Sequence, residues 1–139
     1  MVQLIVGNKG KGKTSHLLDK VNTEIRNTTG NIVYLDKNAK HMYDLNNRVR
    51  LIDVSQYMLT DQNSFYGFIC GILSQDHDLQ QMYLDSFMKL AKLDEKDLAS
   101  AVAQIEKIGE RFGVDFYISI SVDKNQLPET LQDKVLIAL

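Results

Sequence analysis

The chain has 139 residues, a length that suits one domain with a single hydrophobic core. Its formal net charge of −2 gives no overall electrostatic support for binding a nucleic acid. No apolar run approaches the ~18 residues of a membrane span, and the N-terminal segment lacks the pattern of a signal peptide. Cys70 lies among apolar residues and is predicted to be a small core side chain. We therefore expect one domain over residues 1–139, in the cytoplasm and not in a membrane.

The first half of the chain alternates strand patterns with a helix pattern. Residues 2–6 are a short apolar run typical of a buried strand, and residues 13–26 carry apolar side chains on one helical face. A second strand is predicted over residues 31–35, followed by a polar loop over residues 37–47. Residues 49–54 predict a third strand near a sheet edge, because charged residues interrupt its apolar pattern.

The second half continues the same alternation. Its predicted elements are a helix capped by Asp61 or Asn63, a strand over 79–84, a helix over 95–112, a strand over 115–121 and a last strand over 135–139. Strands that alternate with helices predict an α/β fold with a mainly parallel sheet covered on both faces. Right-handed crossovers then place the loops after the strand carboxyl ends along one edge, where ligands bind.

Residues 7–14, Gly-Asn-Lys-Gly-Lys-Gly-Lys-Thr, fit the pattern G-x-x-x-x-G-K-[ST] in full, between a predicted strand and a predicted helix. The glycines permit the tight backbone that points N–H groups at a polyphosphate, and the following helix adds the positive end of its dipole. Lys13 is predicted to reach the β- and γ-phosphates, and the Thr14 hydroxyl to ligate Mg²⁺. The predicted nucleotide-binding residues are Gly7, Asn8, Lys9, Gly10, Lys11, Gly12, Lys13, Thr14 and Ser15.

A nucleotide-bound Mg²⁺ usually needs a carboxylate at the end of a neighbouring strand. Asp85 directly follows the strand predicted over 79–84 and is the preferred candidate. Asp53 is its rival and Asp36 a third candidate, each at the end of another predicted strand. The predicted metal ligands are therefore Thr14 and Asp85, and the predicted catalytic residues are Lys13 and Asp85. The three histidines are far apart in the sequence and predict no metal site.

These features resemble a P-loop NTPase, with residues 7–14 similar to the Walker A motif and residues 79–85 similar to Walker B. Two predicted strands separate the motifs, a layout similar to the RecA-like and AAA-type division. The resemblance implies a three-layer α/β/α fold with a five-stranded sheet in the order 5-1-4-3-2, and ATP and Mg²⁺ as ligands. It also implies that Asp85 holds the metal through water and that Ser119 or Ser121 is a polar sensor.

The sequence departs from that division at the residue after Asp85. Ser86 stands where the division often carries a glutamate that orients the attacking water. No obvious replacement follows in the sequence, and Glu24 and Glu129 are the candidates to approach from elsewhere in the chain. Without such a group, hydrolysis is expected to be slow. RecA-like proteins often bind nucleotide between subunits, so a homo-oligomer or a protein partner stays open. Candidates for an arginine finger in a self-assembly are Arg48, Arg50 and Arg111.

Three functions stay open for this site: a weak Mg-dependent ATPase, a nucleotide-binding switch or accessory protein with negligible turnover, and a small-molecule or nucleoside kinase. The kinase is disfavoured because residues 86–97, where a lid is expected, carry lysines and no arginine. A GTPase is disfavoured because residues 53–56 lack the glycine of D-x-x-G and residues 123–125 do not form the guanine motif. A switch would order the loops 37–47 and 86–97 for a partner to recognise.

Overall fold

The computed structural model describes every residue from Met1 to Leu139 and contains six strands and four α-helices. The strands are β1 (Val2–Val6), β2 (Asn31–Asp36), β3 (Arg50–Asp53), β4 (Leu79–Leu84), β5 (Asp115–Ile120) and β6 (Val135–Ala138). The helices are α1 (Lys13–Glu24), α2 (Gln62–Ser74), α3 (Phe87–Leu90) and α4 (Leu98–Phe112). None of these helices has the length and apolarity needed to cross a membrane.

All six strands form one parallel sheet in the order β3-β2-β4-β5-β1-β6. The predicted α/β class and the parallel sheet are confirmed, and β3 lies at a sheet edge as its charged pattern predicted. The prediction of five strands is wrong, because every one of the six strand-like segments pairs. The short edge strands β3 and β6 are each held by one neighbour only, a non-local pairing that sequence patterns do not reveal.

Side chains alternate between the two faces of the sheet and form two apolar clusters of unequal size. The larger cluster has 28 buried residues and joins the sheet to α2, α3 and α4 through side chains such as Phe65, Phe87 and Val102. The smaller cluster has nine and joins the other face to α1 through Leu17 and Val21. Helices therefore cover both faces, which makes the fold a three-layer α/β/α sandwich.

The helix ends mostly follow the predicted signals. Asp61 caps α2, since its carboxylate accepts from the Ser64 N–H while the Ser64 side chain caps the Asp61 N–H in return. Gly113 ends α4 in the left-handed conformation, as predicted for a helix stop. The predicted helix over 95–112 starts later than expected, because Glu95–Asp97 forms a 3₁₀ turn first. The single turn of α3 was not predicted, since four residues are too few to show a helical period.

Candidate functional site

The glycine-rich loop, residues 7–14, connects β1 to α1 at the carboxyl edge of the sheet. Gly10 and Gly12 have φ values of +87° and +91°, a left-handed conformation that costs glycine little and other residues more. Gly12 stands at the N-cap of α1, which has no side-chain cap. The first N–H groups of the helix are therefore left without a capping partner, in the arrangement that binds anions at helix N-termini.

Lys13 lies inside this loop with only 8 % of its surface exposed. Its ammonium group donates a hydrogen bond to the carbonyl oxygen of Asn8 at 3.2 Å. Burial lowers the pKa of Lys13, and the nearby Asp85 carboxylate opposes that shift. The loop thus encloses a positive charge whose one hydrogen-bond partner is a backbone carbonyl, which leaves donors for a further acceptor.

Asp85 is the centre of a hydrogen-bonded group at the same edge, with 2 % of its surface exposed. Its Oδ1 accepts hydrogen bonds from the Thr14 hydroxyl at 3.2 Å and the Ser119 hydroxyl at 2.9 Å. Its Oδ2 accepts from the Tyr34 hydroxyl at 2.8 Å. These donors come from α1, β5 and β2, which surround the end of β4. Three hydrogen bonds compensate for the burial of this carboxylate.

Asp36 is a second buried carboxyl group beside Asp85, also with 2 % of its surface exposed. It ends β2, the neighbour of β4, and its Oδ1 accepts from the Lys37 N–H at 2.7 Å. Its Oδ2 is buried and has no hydrogen-bond partner. Burial, and then the charge of Asp85, raise the pKa of Asp36. An unpaired buried acceptor of this kind is unusual in folded proteins and often marks a place where a water or an ion binds.

Two other predicted candidates lie away from this group. Asp53 ends the edge strand β3, separated from β4 by β2. Its carboxylate accepts from the N–H and hydroxyl of Ser55, and these hydrogen bonds lower the pKa of Asp53. Asp53 therefore serves as a local cap. Of the two predicted sensor residues, Ser119 donates a hydrogen bond to Asp85, whereas Ser121 is exposed beyond the end of β5.

The remaining predicted glutamates and arginines have local contacts elsewhere. Glu24 ends α1, at the opposite edge of the sheet, and pairs with Lys20 at 3.3 Å. Glu129 is exposed in the 3₁₀ segment before β6.

Arg48 donates to the carbonyl oxygen of Ile25 at 2.9 Å, just after α1. Arg50 begins β3 and pairs with Asp76 at 3.8 Å, and Arg111 is exposed at the end of α4.

Ser86, the residue after Asp85, has its own role in shaping this edge. Its φ of +63° is left-handed, and its N–H donates to the Ser119 hydroxyl at 2.7 Å. Its hydroxyl accepts from the Lys37 ammonium at 3.4 Å, a contact that connects the loops after β2 and β4. The Ser119 hydroxyl therefore connects two consecutive residues, since it accepts from the Ser86 N–H and donates to the Asp85 carboxylate.

Tyr34 is the residue of this group that the sequence did not indicate. It lies within an apolar strand pattern, where a tyrosine is typical of the core, and it stacks on Tyr83 at 6.0 Å between ring centroids. Only the adjacency of β2 and β4 places its hydroxyl on Asp85. Its position two residues before Asp36, on the same face of the strand, was the one available signal.

Neither protein-family models nor curated proteins match this chain. The function therefore has to be inferred from the contacts described above. Those contacts bring together a glycine-rich loop, a buried ammonium group, a hydroxyl and two buried carboxyl groups at the carboxyl edge of a parallel sheet. This edge is where open α/β sheets bind their ligands.

Proposed function

We propose that this chain binds ATP with Mg²⁺ at residues 7–15 as a P-loop NTPase of the RecA-like and AAA-type division, and that it hydrolyses ATP slowly. One contact carries the proposal: the Thr14 hydroxyl donates to Asp85 at 3.2 Å across 71 residues of sequence. The motif requires its last residue and the carboxylate of a neighbouring strand to share a metal ion. Thr14 is selected by the glycine-rich motif and Asp85 by its place after a predicted strand, and the two side chains are neighbours.

The phosphate half of the site is supported by the loop. Lys13 keeps an ammonium group inside it, and the uncapped start of α1 offers N–H groups with the positive end of the helix dipole. Lys9 and Lys11 are exposed on the loop and add positive potential without blocking it. These are the features that a triphosphate needs.

The metal half is supported by the oxygen donors. Mg²⁺ prefers hard oxygen ligands and keeps several waters, with one or two carboxylates and the substrate phosphates completing its shell. Thr14 and Asp85 would hold it. The chain has no cluster of three or more His, Cys, Asp or Glu side chains arranged to hold a metal. The ion would therefore depend on the nucleotide, and when bound it would neutralise negative charge on the phosphates.

The strand order supports the choice of division. If the edge strand β3 is set aside, the sheet reads β6-β1-β5-β4-β2. Numbering these five strands in chain order turns this into 5-1-4-3-2, the order that the resemblance implies. One strand, β5, then stands between the strand of the glycine-rich loop and the strand of Asp85, and it supplies Ser119 between them.

Slow hydrolysis follows from the acidic groups at the site. Glu24 lies at the opposite edge of the sheet, Glu129 is exposed before β6, and Ser86 carries no carboxylate. Asp36 is the acidic side chain beside Asp85 that keeps a free oxygen, so we assign it the role of holding the attacking water. Asp36 is fixed at the end of the buried strand β2, so its carboxylate has little freedom to move with the attacking water.

The alternative is a nucleotide-binding switch with negligible turnover. The hydrogen bond between Lys37 and Ser86 favours it, because that contact joins the loop after β2 to the loop after β4 beside the site. A bound nucleotide that attracts the Lys37 ammonium would change this contact and so rearrange both loops. In that case ATP binds equally well and phosphate is not released.

Thermal unfolding with Mg·ATP, Mg·ADP and Mg·GTP tests the proposal, in the wild-type protein and in Lys13→Ala. Ligand at about 100 times its Kd should add about 2.7 kcal/mol to the free energy of unfolding. The expected rise in Tm is roughly 5–10 °C with ATP in the wild type and near zero in Lys13→Ala. Lys107→Ala, at an exposed position on α4, is the matched control and should keep the full rise.

The absence of any rise with millimolar nucleotide, or an equal rise in Lys13→Ala, would refute the proposed site. A phosphate-release assay on the same proteins separates the two functions. A weak ATPase should release phosphate at a rate that falls at least tenfold in Asp36→Asn, whereas a switch should release none in either protein.

A further inference from the structure

A second cavity opens at the same edge of the sheet, next to the proposed nucleotide site but lined by residues outside the glycine-rich loop. It has a volume of about 290 Å³ and lies between the ends of β2 and β3 and the short helix α3. The side chains around it divide into a charged group and an apolar group. The charged group is Lys37, Lys89 and Lys92, and the apolar group includes Val54, Leu59 and Leu90.

The three lysines have no acidic partner. None of them forms an ion pair with a carboxylate, and no acidic residue lines the cavity. The charges of Lys37 and then of Lys9 lower the pKa of Lys89. Of the carboxyl groups that end the adjacent strands β2 and β3, Asp36 is buried and Asp53 accepts from the Ser55 hydroxyl. A chain with a net charge of −2 therefore concentrates unpaired positive charge here.

The backbone around α3 indicates that the position of Lys92 matters. Ser86 and Lys92 lie on either side of this helix and are the two residues other than glycine with positive φ, at +63° and +57°. The position that Lys92 occupies, just after a helix end, usually carries glycine, because other residues are strained in this conformation. Lys92 therefore combines a strained backbone with a side chain that lines the charged cavity.

We propose that this cavity is a second ligand site, which binds a small organic anion carrying a phosphate or carboxylate group and an apolar body. The lysines would hold the anionic group, and the apolar wall formed by Val54, Leu59 and Leu90 would cover the rest. A small molecule fits better than a nucleic acid, because the lysines share one cavity with an apolar wall. The site is independent of Lys13, so it does not require that the glycine-rich loop binds ATP.

An NMR titration tests this site with phenyl phosphate as the probe and benzyl alcohol as the uncharged control. We follow backbone amide shifts in the wild type, in Lys13→Ala and in the double variant Lys89→Gln/Lys92→Gln. We expect phenyl phosphate to shift the amides of residues 54–59 and 87–92 with similar Kd in the wild type and in Lys13→Ala. The double variant should bind at least tenfold more weakly, and benzyl alcohol should shift none of these amides.

The matched control is the double variant Lys96→Gln/Lys107→Gln, which removes two exposed lysines that do not line the cavity. It should bind phenyl phosphate like the wild type, and equal weakening in both double variants would overturn the proposal. Shifts confined to residues 7–15 would overturn it too, since the anion would then be held by the glycine-rich loop alone. If an oligothymidylate binds through Lys89 and Lys92 and phenyl phosphate does not bind, the small-anion proposal is overturned in favour of a nucleic-acid ligand. Loss of the ATP response with this titration intact would refute only the nucleotide site.

Discussion

At the scale of single residues, the two oxygens of Asp85 are satisfied unequally. Oδ1 accepts from two hydroxyl groups, whereas Oδ2 accepts only from Tyr34. Burial, and then the Asp85 carboxylate, raise the pKa of Tyr34 well above its usual range, so its hydroxyl stays a donor at physiological pH. Tyr34 therefore carries the whole hydrogen-bonding requirement of one buried carboxylate oxygen.

Tyr34→Phe should lower the free energy of unfolding by about 1–3 kcal/mol, because it leaves a charged buried oxygen without a donor. Tyr83→Phe is the matched control, since Tyr83 is equally buried in the same aromatic stack but donates to the uncharged Gln81 side chain at 3.0 Å. Tyr83→Phe should lower the free energy of unfolding by about 1 kcal/mol or less. Urea denaturation measures both, and equal losses would show that Asp85 does not depend on Tyr34.

Asp36 makes stability depend on pH. Because its folded pKa is raised, the folded protein binds the proton more tightly than the unfolded chain does. The free energy of unfolding therefore falls as the pH rises from the unfolded pKa through the folded pKa, and the loss is complete above both. Below the unfolded pKa, Asp36 contributes no such loss.

Asp36→Asn removes this charge and keeps an acceptor for the Lys37 N–H. Its Tm in the absence of Mg²⁺ should exceed that of the wild type by roughly 2–5 °C at pH 7.5, and the difference should shrink towards pH 4. Thermal unfolding followed by circular dichroism across this pH range measures the effect. A difference that is constant with pH would mean that Asp36 is ionised equally easily in both states.

At the scale of elements, α4 and β5 are joined by a turn that depends on one small residue. A Cβ atom at Gly109 would lie 2.7 Å from the carbonyl oxygen of Val114, a backbone atom that cannot move away easily. The Val114 N–H also donates to the carbonyl oxygen of Gly109 at 3.0 Å, so the chain folds back directly over the helix. This close approach sets where β5, and with it Ser119, enters the sheet.

Gly109→Ala should therefore destabilise the protein by about 1–3 kcal/mol through this clash. Gly67→Ala tests the opposite case, because a Cβ at this exposed position in α2 meets nothing within 4 Å. It should stabilise the protein by about 0.5–1 kcal/mol, the ordinary helix preference for alanine over glycine. Chemical denaturation of the two variants compares them directly, and stabilisation by Gly109→Ala would contradict the close approach.

At the scale of the whole molecule, the parallel sheet collects the chemistry on one side. Every strand ends at the same edge, so the glycine-rich loop, Asp36, Asp85 and the lysines of the second cavity lie within one region although they are distant in sequence. The opposite edge holds local ion pairs such as that of Arg50 with Asp76. The near-neutral net charge hides this separation, because it averages an electropositive edge with the rest of the surface.

The sequence by itself determined the α/β class, most element boundaries to within a few residues, and the choice of Thr14 and Asp85 as candidates. These follow from local rules: the spacing of apolar residues, the capping preference of Asp61, the stop at Gly113 and a glycine pattern suited to one backbone shape. The proposed nucleotide site and the assignment to one domain stay predictions.

Only the tertiary structure decided that all six strands pair, and which side chains surround Asp85. Tyr34 contacts Asp85 and Asp36 lies beside it because β2 pairs with β4. Lys37, Lys89 and Lys92 line one cavity because the segments after β2 and β3 lie next to α3. The physical reason is that strand order depends on hydrogen bonds and burial between segments far apart in the chain. A local pattern fixes which way a side chain faces but not which strand becomes its neighbour.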